Sequence, residues 1–141
     1  MMENISTHIS YREAVFSPTA IDKGINNEPD ETHLTAMRIV ANACFELARD
    51  HFGPIKVNSF YRCPALNEAV KGSPTSQHMK GEAIDMDRGS REKNKELFDW
   101  CKANIKYDQL IWEFGDATGP DLVHISFSRN GNRNQTIHIT K

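Results

Sequence analysis

The sequence has no excess of either charge, no long apolar run and few cysteines, and each absence removes a class of function. Its 17 Lys and Arg against 19 Asp and Glu leave a formal net charge of −2, which is no electrostatic footprint for a phosphate backbone. The one locally basic stretch, SRNGNRN at 128–134, reads as a loop, and nucleic acid is not an expected partner. Nothing approaches the roughly 18 consecutive apolar residues of a membrane span, so stable membrane insertion is not expected either. Cys44, Cys63 and Cys101 are odd in number, far apart and without CxxC spacing; that argues against a disulfide framework or a thiolate zinc site and leaves reduced thiols as the default. The opening MMENISTHISYREAVF lacks the apolar core of a signal peptide. The expectation is a protein made in the cytoplasm whose exit depends on outside help.

What is present is enough for one domain. A chain of 141 residues with 38% hydrophobic content can enclose a core, and no repeat or linker divides it. A single domain over 1–141 is expected, with 1–31 as an N-terminal arm and loop packed on it, ending in KGINNEPDE at 23–31. A monomer is expected. In ETHLTAMRIVANACFELARDHFGP, Leu34, Met37, Val40, Ala41, Cys44, Leu47 and Ala48 fall at helical spacing, and Gly53-Pro54 stops the run. A second helix, SREKNKELFDWCKAN, has Ser90 as its N-cap and Leu97, Phe98 and Cys101 as its buried stripe. Short period-2 runs at 55–61, 82–87, 108–114, 122–128 and 135–140 read as strands. Helices flanking a mostly antiparallel sheet make an α+β domain.

Two strands carry a chemical hint, because side chains alternate between faces. In LVHISFS, Val123, Ile125 and Phe127 share the apolar face and His124 lies on the other; in EAIDMD, Ile84 and Met86 point one way and Asp85 the opposite way. Just upstream, SQHMKG offers His78, with Gly81 to turn the chain between loop and strand. Two imidazoles and a carboxylate are a set that zinc accepts, with a fourth position left to water. On spacing alone, a lone histidine in a strand is more often a surface or hydrogen-bonded residue than a ligand. His8, His33, His51 and His138 fit no ligand pattern, and His138 on the terminal strand reads as solvent-facing. Trp112, with Leu110 and Phe114 on one strand face, reads as core, and Trp100 likewise.

The ordered segments ISYREAVFSPTAIDKGINNEP, VNSFYRCPALNEAV, SQHMKGEAIDMD and YDQLIWEFG…LVHISFS together resemble the zinc D-Ala-D-Ala carboxypeptidase family. That family includes bacterial cell-wall peptidases and phage endolysins and shares its fold with the hedgehog signalling domain. The resemblance implies one Zn²⁺ held by His78, Asp85 and His124. It places Glu113 in IWEFG at the family's catalytic base, with Asp121, three residues before His124, as the alternative. It makes Arg62 the group that grips a substrate carboxylate or carbonyl; Ser76 and Gln77, just before the first ligand, orient it, line the substrate cleft or shape the loop. Two departures stand out: DATGPD lengthens the connection between Glu113 and His124, and Leu122 stands where an aromatic residue is common. The implied activity is hydrolysis of a peptide bond in a peptidoglycan stem peptide, in the manner of an endolysin acting on the wall after release or of a carboxypeptidase. The alternative is a zinc-stabilised binding module of the same fold that has lost hydrolysis.

Overall fold

The computed structural model describes residues 3–140. Two short helices, α1 (Tyr11–Val15) and α2 (Pro18–Lys23), open the chain, each started by a serine side chain that accepts from a first-turn amide: Ser10 from Glu13 and Ser17 from Ala20. Ile5, Ile9 and Ala14 of this N-terminal segment are buried in the core. Helix α3 (Glu31–Val40) runs through a wide turn (Ala41–Phe45) into α4 (Glu46–Phe52). The strands β1 (Lys56–Ser59), β2 (Ala83–Asp87), β3 (Gln109–Glu113), β4 (Leu122–Ser126) and β5 (Gln135–Ile139) are joined by α5 (Pro64–Ala69), a 3₁₀ turn (Gln77–Lys80) and α6 (Arg91–Asn104). The sheet order is β1-β2-β4-β3-β5, with every pair antiparallel except β3 with β5. The α+β class and the mostly antiparallel sheet thus agree with the sequence pattern.

The wide turn has a consequence that helical spacing does not anticipate. A π-type turn holds one extra residue, which rotates everything beyond it by about 100° relative to a continuous α-helix. Leu47, expected in the apolar stripe, is consequently 47% exposed, while Phe45 and Glu46 face inward. Glu46 is then available to the N-terminus: its carboxylate accepts from Ser6 Oγ at 2.6 Å and from the His8 amide at 2.8 Å, and its other oxygen lies 2.6 Å from His8 Nδ1. His8 is an anchor for the first residues.

Alternation divides the sheet into an apolar and a polar face. Ile84, Met86, Leu110, Val123 and Ile125 are fully buried and share the face covered by α3 and α6. Phe98 of α6 meets Trp112 edge-on, and Trp112 in turn stacks on His138, which is exposed as expected yet in ring contact. Phe114 does not continue the apolar face of β3. Its φ of +59° ends the strand and carries the residue to the wall of a cleft on the polar side.

Two positions tie the polar side together. Gly81 has φ +75°, and a Cβ there would stand 2.7 Å from the His33 carbonyl oxygen and 2.7 Å from Met37 Cγ, so α3 lies hard against the turn that leads into β2. Asp108 precedes β3 and is 3% exposed. It accepts from the Arg133 amide, Nε and Nη2 at 2.8, 2.9 and 2.7 Å, which pins the 128–134 segment ahead of β5. The Arg133 hydrogen bonds hold the Asp108 carboxyl down at about 2, against the opposing effect of burial.

Gly81→Ala is expected to lower stability by about 2 kcal/mol or more through left-handed strain and the backbone clash, read as a lower urea midpoint at unchanged slope. A carboxyl whose folded pKa is depressed stabilises fully above its unfolded pKa and loses that contribution as pH falls through the folded value. The stability gap between wild type and Asp108→Asn is therefore expected to be constant above about pH 4 and to close toward pH 2, measured by unfolding across that range.

Candidate metal centre

Antiparallel pairing of β2 with β4 sets Asp85 directly opposite His124, both on the polar face. The 3₁₀ turn before β2 lowers His78 onto the same spot, started by Ser76, whose hydroxyl accepts from the His78 amide at 3.2 Å. All three side chains are buried: His78 at 2%, Asp85 at 6% and His124 at 7% exposure. One donor atom from each lies within 4.8 Å of the others. His78 Nε2 is 3.2 Å from Asp85 Oδ2 and His124 Nδ1 is 3.0 Å from Asp85 Oδ1, and the two rings meet edge to face with centroids 5.1 Å apart.

The donor chemistry fits a cation. His78 Nδ1 lies 2.6 Å from the Phe60 carbonyl oxygen, which only accepts, so Nδ1 carries a proton and Nε2 is the atom that faces Asp85. Two acceptors 3.2 Å apart need a proton or a metal ion between them. Ligands about 2.0–2.2 Å from zinc at tetrahedral angles stand roughly 3.3–3.6 Å apart, and the two imidazole–carboxylate separations, each to a different Asp85 oxygen, come within a few tenths of an ångström of that. Burial alone would push the Asp85 carboxyl up, but the charge and hydrogen bonds of His78 and His124 hold it well below the usual carboxylate range. The carboxylate is therefore ionised and available as a ligand.

Two further charged groups face this cluster. Glu113 pairs across the β3–β4 hairpin with Leu122, and Ile111 pairs with His124. Glu113 is thus diagonal to His124 on the same face, with Oε1 3.7 Å from His124 Nδ1. The inserted DATGPD segment bulges at the hairpin tip, where Asp116 and Gly119 pair with each other, and leaves this register intact. Burial, then the charge of Asp85, pushes the Glu113 carboxyl up to about 7 against the pull of His124 and Arg62. Arg62 follows β1, with its amide donating to the His78 carbonyl at 3.2 Å and Nη2 donating to Ser76 Oγ at 3.3 Å. Its Nε is buried and makes no hydrogen bond within the described residues. Burial lowers its pKa, while Asp85 and Glu113 pull it up. Arg62, Gln77, Glu113 and the three clustered groups line one cleft of about 940 Å³.

Asp121, the alternative base, is not brought to the cluster. It stands an odd number of residues before His124, which turns it to the opposite face, where Arg91 Nε donates to it at 3.0 Å. Leu122 does face the site and lines a smaller recess with Phe16, Arg62 and Glu113. Several supports had no signal in the sequence. The Phe60 carbonyl that orients His78 is backbone. Asn27 is buried and bridges the N-terminal segment to the arginine loop, donating to the carbonyls of Val15 and Tyr61 at 3.0 Å and accepting from the Cys63 amide at 2.7 Å. Asp108 and Arg133 meet across 25 residues of chain.

No curated protein matches the chain. Residues 7–126 match the family model described as Peptidase M15. That span holds Arg62, His78, Asp85, Glu113 and His124, the residues that converge on the cleft. A buried imidazole–carboxylate–imidazole set with an acid of raised pKa beside it is what a hydrolase using a metal needs, and the chain belongs to the peptidase M15 family of zinc metallopeptidases.

Proposed function

We propose that the protein hydrolyses a peptide bond of bacterial peptidoglycan, as an endolysin or D-Ala-D-Ala carboxypeptidase does, with one zinc ion held by His78, Asp85 and His124. The observation that carries this reading is the carboxylate of Glu113, half-buried, on the same sheet face as the three donors and 3.7 Å from His124. When bound, zinc supplies a Lewis acid that acidifies water and polarises a carbonyl. Glu113 is the general base: with its pKa raised to about 7, its carboxylate accepts a proton from water near neutral pH and returns it to the leaving amine. Arg62 presents a buried Nε–H with no hydrogen-bond partner among the described residues, a donor suited to a substrate carboxylate or carbonyl. Its guanidinium fork binds a carboxylate bidentately, which lysine does not reproduce. Ser76 holds both Arg62 and the His78 turn, so that the clamp and the first ligand keep a fixed separation.

Glu113→Gln is expected to lower the turnover of purified peptidoglycan by about 10²–10⁴-fold while zinc content and thermal midpoint are retained. Unchanged digestion by that variant removes Glu113 as the base. Zinc-loaded wild type that releases no product favours the inactive binding module. Mass spectrometry of muropeptides incubated with zinc-loaded and chelated protein is expected to show products only in the former, and those products name the bond. Arg62→Lys is expected to raise KM about tenfold or more, the scale of a lost charge-assisted hydrogen bond, with little change in unfolding midpoint.

A further inference from the structure

Gln77, one residue before His78, sits between two acids. Its Nε2 donates to Asp108 Oδ2 at 2.9 Å and to Glu82 Oε1 at 3.3 Å. Ionised carboxylates only accept, so the amide –NH₂ must be the end that faces them, and both of its protons are used. The other end, Oε1, is buried and has no hydrogen-bond partner within the described residues. It belongs to a side chain that lines the cleft shared with the metal centre. Asp108 cannot give way to Gln77, because Arg133 fastens it through three hydrogen bonds of 2.7–2.9 Å and its carboxyl is 3% exposed.

We infer that Gln77 Oε1 accepts a hydrogen bond from a backbone N–H of the substrate peptide, and that Asp108, held by Arg133, is the positioning residue that fixes this orientation. The inference rests on the peptidase reading above and adds a recognition element to it. A peptide cleft must meet substrate N–H groups with acceptors. The acidic groups nearest the metal centre are committed there, to ligation and to proton transfer, whereas Gln77 offers a neutral acceptor that a passing proton does not neutralise. Arg133 lies beyond the matched span of 7–126, so the rigidity of this acceptor comes from outside the segment that the family model covers. Exchanging Asp108 for Asn would remove one of the two carboxylates that fix the Gln77 amide and leave it free to turn.

The test uses zinc-loaded full-length protein and the muropeptide that wild type is found to cut, with steady-state kinetics of wild type, Gln77→Met and Asp108→Asn. Loss of a contact made equally in the ground and transition states raises KM and spares kcat. Gln77→Met is expected to raise KM about tenfold, as loss of one hydrogen bond does, with kcat changed by less than about twofold. Asp108→Asn, checked for native fold and zinc content, is expected to do the same. Synthetic versions of the peptide, N-methylated at one backbone amide at a time, are expected to include one position that weakens wild type about tenfold and leaves Gln77→Met unaffected. Active wild type with an unchanged KM in Gln77→Met, or with no such N-methyl position, overturns this inference alone. Wild type that cuts no muropeptide overturns the peptidase reading and this inference with it.

Discussion

A buried carboxylate between two imidazoles is the constraint to which the rest of the site answers. Asp85 is almost without solvent, and a charge in that position is tolerable only when it is paired. Both of its oxygens face a ring nitrogen, from His78 on one side and His124 on the other. The antiparallel ladder between β2 and β4 supplies one of these partners automatically, since Asp85 and His124 are register neighbours. The second must be delivered from outside the sheet, and that is the work of the turn at Gln77–Lys80.

Delivery of His78 explains much of the surrounding structure. Gly81 takes a left-handed conformation so that the turn can enter β2 while touching α3. The Phe60 carbonyl orients the ring, and the Arg62 amide holds the His78 carbonyl. The stretch 60–63 is therefore a brace for His78 as well as the platform for the Arg62 guanidinium, which lines the cleft. Asn27 ties that brace to the end of α1, and the residues leading into α1 are fastened to α4 through Glu46. A change in any of these ties would reach the site through position, without touching a ligand.

Charge is arranged around the centre by role. Burial and the charge of Asp85 raise the Glu113 carboxyl to about 7, whereas Asp108, in the same cleft, is paired with Arg133 and held down at about 2. Two acids in one cleft with pKa values driven apart have separate tasks. In the proposed reaction one exchanges a proton, and the other holds its neighbours still. The bonds of Asp108 to Gln77 and Arg133 also connect the 3₁₀ turn to the last strand, so the parallel pairing of β5 with β3 closes the cleft wall and finishes the sheet.

Local pattern was enough to read most of this. Alternation in EAIDMD and LVHISFS put Asp85 and His124 on the face away from the core before any pairing was known, because a strand has a period of two whatever lies beside it. Ser90 as a cap and Leu97, Phe98 and Cys101 as a buried stripe were legible for the same reason in α6. Leu47 was misread, since a single wide turn shifts the helical phase and nothing in the residues around it announces the shift. Asp121 remained a rival to Glu113 because sequence distance from His124 does not say which face a residue takes until the hairpin register is set. What the sequence by itself determined is the residue types, their faces and their order, all of which depend on neighbours a few positions away. Only the tertiary structure decided which carboxylate stands beside the imidazoles, which backbone carbonyl orients His78, and how Asp108 meets Gln77 and Arg133. Those contacts are made between segments tens of residues apart, and their distances follow from pairing and packing that no local pattern encodes.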